Sequence, residues 1–378
     1  MNIAIVTLPL HTNYGGILQA YALQTILERM GHEVEHLQPE VIYPKLHPYW
    51  KMPFVYCKRL MRKYFGGERS LPIFIHPQKW IRKNTDRFIA KHINCRYLKE
   101  HEWNEDLANY YDAFVFGSDQ IWRPCYARPI EKYYGSFIER TNVKKIAYAA
   151  SFGTDENEYT LEQQKVCSFL TRKFEVVSVR EESGINLCKQ IFEIQAKNVL
   201  DPTMLLTKDD YIKLLDKKYN NCNSSKLAVY VLDLNPEIEE IIKSVSKKTD
   251  LIPYNINSRC EDGNAPICER QQLPLENWLR AFNDAEMIIT DSFHACVFSL
   301  IFRKQFIVYG NKSRGMTRFS SLLKKFGIED RLVESLTNFS IHEDVLMNNI
   351  DYNVIDDILK ESRKECIDFI KKSLNCSY

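Results

Sequence analysis

Two α/β domains, each built on a parallel sheet, are what this 378-residue sequence predicts, and three observations predict them. Short runs rich in β-branched and aromatic residues, such as Ile3 to Leu8, Asp112 to Phe116, Leu227 to Leu232 and Met287 to Thr290, alternate with stretches of helical apolar spacing. These runs are mostly apolar rather than apolar at every second position only, as strands covered by helices on both faces must be. The rhythm also restarts at residue 227, after the polar stretch 220–225, which is the best linker in the chain. The length exceeds what one core ordinarily covers. The expected fold is therefore α/β, with two Rossmann-like domains facing each other across a cleft. The first spans 1–205 with an insertion at about 40–105, the second 206–350, and the tail 351–378 carries a helix, Val354 to Leu374, that can pack back on the first domain.

Composition narrows the class. Hydrophobic residues at 45% and charged residues at 26% describe a globular protein in water. A formal net charge of +2 supplies no global attraction to nucleic acid or membrane, and no basic stripe spans either domain. The 11 cysteines are odd in number and form no CxxC pair or cluster at zinc spacing. They read as reduced thiols, with cytoplasmic localisation and no metal expected. The N-terminus lacks a basic region and cleavage site, and the longest apolar runs, such as Ala295 to Phe302, fall short of a membrane span.

Taken in order, Ile3 to Leu8 is a strand, Gly16 to Met30 a helix closed by Gly31, and Val34 to Leu37 the next strand. The loop between the first two delivers Asn13, Gly15 and Gly16 to a helix N-terminus. Bare amides there can face an anion or sugar hydroxyls; a simple tight turn is the alternative. Asp112 to Phe116 ends in Gly117-Ser118-Asp119-Gln120, which puts Asp119 and Gln120 where a strand stops, a good place for a carboxylate that takes a hydroxyl proton. Lys145 to Ala150 is a strand, Leu161 to Phe174 its helix, and Val176 to Val179 the strand before Arg180, with Glu181 opening another helix. The planar fork of Arg180 at that strand end suits a carboxylate or phosphate, unless it pairs with a neighbouring acid. Val199 to Pro202 reads as one more short strand and Lys208 to Tyr219 as a helix.

In the second half, Leu227 to Leu232 and Leu251 to Tyr254 are strands, while Glu237 to Lys248 and Leu275 to Phe282 are helices. Met287 to Thr290 is a buried strand, Asp291 or Ser292 can cap the helix Phe293 to Phe302, and Phe306 to Tyr309 is the following strand. His294 thus falls in a first helical turn just beyond a strand's carboxyl end, where open α/β sheets put ligands. A histidine that merely satisfies a buried turn is the alternative. Arg318 to Phe326 forms a further helix.

One segment departs from the α/β rhythm. In residues 57–65, Lys58, Arg59, Arg62 and Lys63 share one side of a helix, with Leu60, Met61, Tyr64 and Phe65 on the other, and Trp50, Phe54 and Tyr56 add aromatic bulk nearby. Residues 50–65 could make peripheral contact with an anionic bilayer or form an ordinary surface helix.

Several of these segments together resemble the polysaccharide pyruvyl transferase family: NYGGILQAYALQTILERMGHEV, VFGSDQIW, YAASFG, SVREESG, VLDPTMLL and IITDSFHACVFSLIFRKQFIVYG, in that order over roughly residues 3–330. The resemblance implies a fold like that of the GT-B glycosyltransferases. It also implies transfer of the enolpyruvyl group of phosphoenolpyruvate to two hydroxyls of a hexose, with a cyclic ketal and phosphate as products. The acceptor would be a sugar or lipid-linked oligosaccharide of a capsule or exopolysaccharide pathway, at the inner face of the cytoplasmic membrane, and no cofactor is implied. Carried over residue by residue, Arg180, His294 and Lys312 would serve the donor, with Arg314 and Arg318 able to take the place of Lys312. The match is not carried over at Phe293 or at the turn 311–313.

Phosphoenolpyruvate carries a carboxylate and a phosphate, so its site needs cationic and amide donors. Arg180, Lys312, Arg314, Arg318 and the helix start at Ser292 can supply them. The enol methylene must take a proton before a hydroxyl attacks; His294 is the candidate acid and Asp119 the candidate base for the acceptor hydroxyl. Asn13, Gly15, Gly16 and Gln120 are the candidate acceptor-binding residues. A nucleotide-sugar glycosyltransferase of similar fold and a non-catalytic glycan-binding protein are the competing readings.

Overall fold

The structure, a computed structural model, describes residues 1–43, 53, 54, 56–58, 61, 76–215, 226–310 and 315–375. Strands Asn2–Val6 (β1), Glu33–Pro39 (β2), Cys95–Leu98 (β3), Ala113–Phe116 (β4), Lys144–Ala150 (β5), Val176–Val179 (β6) and Lys197–Asn198 (β7) form one sheet in the order β3-β2-β1-β4-β5-β6-β7. Strands Lys226–Tyr230 (β8), Ile252–Asn255 (β9), Met287–Thr290 (β10), Gln305–Tyr309 (β11) and Leu332–Val333 (β12) form a second, ordered β12-β11-β10-β8-β9. Every pairing in both sheets is parallel. Their central strands β1, β4, β8 and β10 are almost wholly buried, which is why they read as nearly continuous apolar runs. The α/β expectation with two parallel sheets is therefore met.

Strand order decides where a site can form. In the first sheet the chain runs outward from β1 through β2 to β3, then returns to the other side of β1 as β4 and continues to β7. The direction reverses between β1 and β4. In the second sheet it reverses between β8 and β10. Crossovers leave on opposite faces at such points, and a crevice opens at the strands' carboxyl ends.

The structure corrects several sequence expectations. Within the insertion expected at about 40–105, the helix Pro77–His92 and β3 extend the first sheet by one unit, β3 pairing with β2. That helix is mostly polar and buries only Ile81, Thr85, Phe88 and Ile89, a stripe too narrow to stand out in sequence. Residues 199–202 are not a strand. Strand β7 ends at Asn198, and Asp201 instead caps the turn Pro202–Leu205, its side chain accepting from Thr203 N, while Pro202 has no N–H for a ladder. The helix after residue 207 is short, Lys208–Ile212. The stretch 220–225 lies outside the described residues, as does most of 50–65.

The two sheets share a continuous apolar core. Tyr14, at the start of the helix Tyr14–Arg29, packs 5.5 Å from Trp278 and 6.4 Å from Tyr230, ring centre to ring centre, and donates from its hydroxyl to Leu273 O at 2.8 Å. The last helix, Tyr352–Asn375, starts against the second sheet's helices, where Tyr352 donates to Ser299 O at 3.3 Å. It ends on the first, where Arg363 Nε donates to Met204 O at 2.9 Å and Lys144 Nζ to Leu374 O at 2.7 Å. Among the described residues no helix is long and apolar enough to cross a membrane, and the described cysteines are all free.

Candidate active site

Both switch points open onto one cleft of about 990 Å³. From the first sheet, the loop after β1 brings Asn13 and Gly15, and the loop after β4 brings Asp119 and Gln120. From the second, the loop after β10 brings Ser292, Phe293 and His294, and the helix Met316–Phe326 brings Arg318. Seven of the sequence candidates thus line the same space. Asn13 is an N-cap, its Oδ1 accepting from Gly16 N at 3.2 Å, so one of the amides at the start of the helix Tyr14–Arg29 is already taken. Asp119 sits at φ +70 in the left-handed region, its carbonyl accepting from Ile121 N at 2.8 Å and Ser151 N at 3.0 Å. Few residues other than glycine hold such a conformation, and here the Asp119 carboxylate faces Arg180.

The capping expected at the helix Phe293–Ile301 takes a different form. Ser292 occupies the N-cap position but its side chain makes no cap bond, while Ser292 N donates to Thr290 Oγ1 at 3.0 Å. Asp291 is turned back onto the second sheet, accepting from Leu232 N at 2.7 Å and Asp233 N at 2.9 Å. The two amides that extend from β8 compete successfully for that carboxylate. The helix's first turn is therefore left facing the cleft without a side-chain cap.

Arg180 and Gly16 do not line the cleft; they lie behind it. The Arg180 side chain is 1% exposed, its Nη1 is 2.8 Å from Asp201 Oδ2, its Nη2 is 3.4 Å from Asp119 Oδ1, and its Nε is 3.7 Å from Glu181 Oε2. Asp201 and Glu181 were not singled out in sequence, although both are buried and both organise the site. Asp201 Oδ1 accepts from Thr203 N at 3.0 Å and Thr203 Oγ1 at 2.6 Å, and Oδ2 lies 3.7 Å from His294 Nε2. Burial opposes charge on Asp201, yet His294, Arg180 and Thr203 outweigh it and hold the carboxyl well below its ordinary range. Glu181 Oε1 accepts from Ser151 Oγ, Phe152 N and Gly153 N, tying the end of β5 to the end of β6. The available signal was an acid next to Arg180 and an acid before a proline, each with many commoner explanations.

Phe293 also escaped the sequence reading as a contributor. The Arg180 guanidinium lies 4.6 Å from its ring centre and that of Arg318 5.3 Å. Lys312 and Arg314 lie outside the described residues. Arg318 is buried; burial first, then the charge of Arg180, pushes it down to about 10. The site thus gathers two guanidinium groups and an imidazole against three carboxylates at a helix start, a suitable place for a further anion.

Several solved structures are similar to this chain over nearly its whole length. S. aureus MnaA with UDP matches at 11% identity over 99% of this chain and 97% of its own, with a TM-score of 0.51. The UDP-GlcNAc 2-epimerase from Neisseria meningitidis matches at 10% identity over 99% of both chains, with a TM-score of 0.50. A Listeria monocytogenes protein assigned as a UDP-N-acetylglucosamine 2-epimerase matches at 8% identity over 100% of this chain and 97% of its own, with a TM-score of 0.53. At such identities the likeness shows the fold, which is GT-B-like, and nothing of substrate. No curated protein matches the chain in sequence. The family relationship comes from the sequence profile of polysaccharide pyruvyl transferases, which matches residues 13–313, from the Asn13 cap in one crevice past His294 in the other; the chain belongs to that family.

Proposed function

We propose that the protein transfers the enolpyruvyl group of phosphoenolpyruvate onto two hydroxyls of one hexose in a cell-surface polysaccharide precursor, forming a cyclic pyruvate ketal and releasing phosphate. The observation that carries this reading is the convergence of His294 and Arg318 from the second domain with Asp119 and Gln120 from the first on one cleft. Family membership supplies the reaction class; the cleft supplies groups able to perform it.

In this reading the donor's phosphate and carboxylate lie against Arg318 and the open helix start at Ser292, with Lys312 and Arg314 as further cations for the donor. Arg180 acts from behind, fixing Asp119 and Asp201. His294 gives a proton to the enol methylene, which becomes the ketal's methyl group. The first acceptor hydroxyl adds to the adjacent carbon and loses its proton to Asp119. The second hydroxyl then forms its bond to that carbon as the bond to phosphate breaks, and its proton leaves with the phosphate. Asn13, Gly15 and Gln120 hold the hexose, with Gly16 behind them bonded to Asn13, so the first domain (1–205) serves the acceptor and the second (206–350) the donor. The protein works in the cytoplasm at the inner membrane face, on a lipid-linked oligosaccharide of a capsule or exopolysaccharide pathway, with residues 50–65 touching the bilayer.

The test is incubation with phosphoenolpyruvate and a panel of galactosides, glucosides and N-acetylmannosaminides. The reading expects phosphate release that depends on one acceptor, which gains a pyruvate ketal by mass. Absence of release with every acceptor, together with stabilisation by a UDP-sugar, would replace it with the glycosyltransferase reading.

A further inference from the structure

Arg180 and Arg318 come from different domains and bear the same charge, yet both approach one aromatic ring. Arg180 is hemmed in by Asp201, Asp119 and Glu181, and it forms no part of the cleft lining. Arg318 does line the cleft. Phe293 stands between these roles, immediately before His294 and next to Phe319, whose ring centre is 6.2 Å away. An aliphatic side chain of similar size would fill the same volume, but it would lack the electron-rich face that attracts a guanidinium.

We propose that Phe293 is a positioning residue, whose ring, 4.6 Å from the Arg180 guanidinium and 5.3 Å from that of Arg318, holds Arg318 at the cleft for an anionic donor. This rests on the reading of phosphoenolpyruvate as the donor. Burial and the charge of Arg180 both disfavour the Arg318 cation. A neighbouring π face offsets part of that disadvantage and restricts the long side chain to one orientation before the ligand arrives. Phe293 touches no reacting atom in this scheme; it acts through Arg318.

Calorimetric titration of phosphoenolpyruvate into the full chain separates the possibilities. Phe293→Leu is expected to weaken Kd by roughly ten-fold, whereas Phe293→Tyr, which keeps the ring, is expected to stay within about three-fold of wild type. Thermal unfolding of both variants identifies any loss due to misfolding, and Phe293→Trp provides a second ring-bearing variant if Tyr does not fold. Wild-type affinity in a folded Phe293→Leu would overturn the inference while leaving the donor reading intact. Equal losses in the folded Leu and ring-bearing variants would overturn it too, because shape rather than the aromatic face would then matter. No binding by wild type would overturn the donor reading and the inference together.

Discussion

The imidazole of His294 rests directly on the backbone of Gly15. A Cβ added at residue 15 would stand 2.6 Å from His294 Cβ and closer still to ring atoms Cγ and Nδ1. The two residues belong to different sheets and different switch points, so this contact fixes the distance between the two halves of the site. Real Cβ atoms do not approach so closely, and either the ring or the helix start must move.

Gly15→Ala should therefore displace His294 without removing any functional group. Misplacement of a reacting group by about 1 Å can cost roughly 100-fold in rate, and a loss of that order in phosphate release is expected while the circular-dichroism spectrum stays unchanged. Turnover within a few-fold of wild type would show that His294 does not need its present seat.

Asp201→Asn tests the buried charge network. Its carboxylate faces Arg180 at 2.8 Å and His294 at 3.7 Å, and removing one partner of such a pair leaves uncompensated buried charge, a cost of about 3–5 kcal/mol. The acid's folded pKa lies below its ordinary value of 3.8. Its stabilising contribution is thus fully present above that value and is lost as pH falls below it. Melting temperature should drop more steeply below about pH 4 in wild type than in Asp201→Asn. Parallel curves for the two proteins would remove Asp201 from that role.

Arg318→Met should separate stability from binding. A cation held down at about 10 by burial and by Arg180 is less favourable in the folded protein than in the unfolded one. An apolar side chain of similar length should leave the melting temperature unchanged or raise it, since the desolvation cost of the buried cation and its repulsion by Arg180 disappear with it. Phosphoenolpyruvate affinity should fall at least ten-fold. A clear fall in melting temperature, or unaltered affinity, would contradict this.

Asp119→Asn keeps the size of the side chain but cannot accept a proton. If Asp119 is the base, turnover should fall by about 10²–10⁴, the usual worth of such a group, with phosphoenolpyruvate affinity little changed. Turnover within a few-fold would assign the proton elsewhere.

Much of the fold was legible because buried parallel strands leave an unmistakable record. Ile3 to Val6, Ala113 to Phe116 and Met287 to Ile289 are apolar at every position, and helical periodicity between such runs implies crossovers. What escaped lies at the edges of the two sheets: the polar helix Pro77–His92, the partly exposed edge strand β3, β12 with two residues, and the helix Leu336–Met347 beside it. Edge elements bury little, so their patterns are weak. The strand-end positions of Asn13, Asp119 and His294 could be read locally. Their convergence could not, because it depends on strand order, which the sequence states only through resemblance to a family. Asp201, Glu181 and Phe293 were invisible for a different reason. Their roles lie in contacts with Arg180, and nothing in the local sequence distinguishes a buried partner from a capping acid or a core phenylalanine.

The most direct test of the account is phosphate release from phosphoenolpyruvate in the presence of the acceptor that wild type uses, measured for wild type and His294→Ala. The account predicts that wild type forms the ketal and one phosphate per acceptor, and that the variant loses roughly 100-fold or more of that rate, as expected when a general acid is removed. A folded His294→Ala protein that still forms the ketal at near wild-type rate would contradict it.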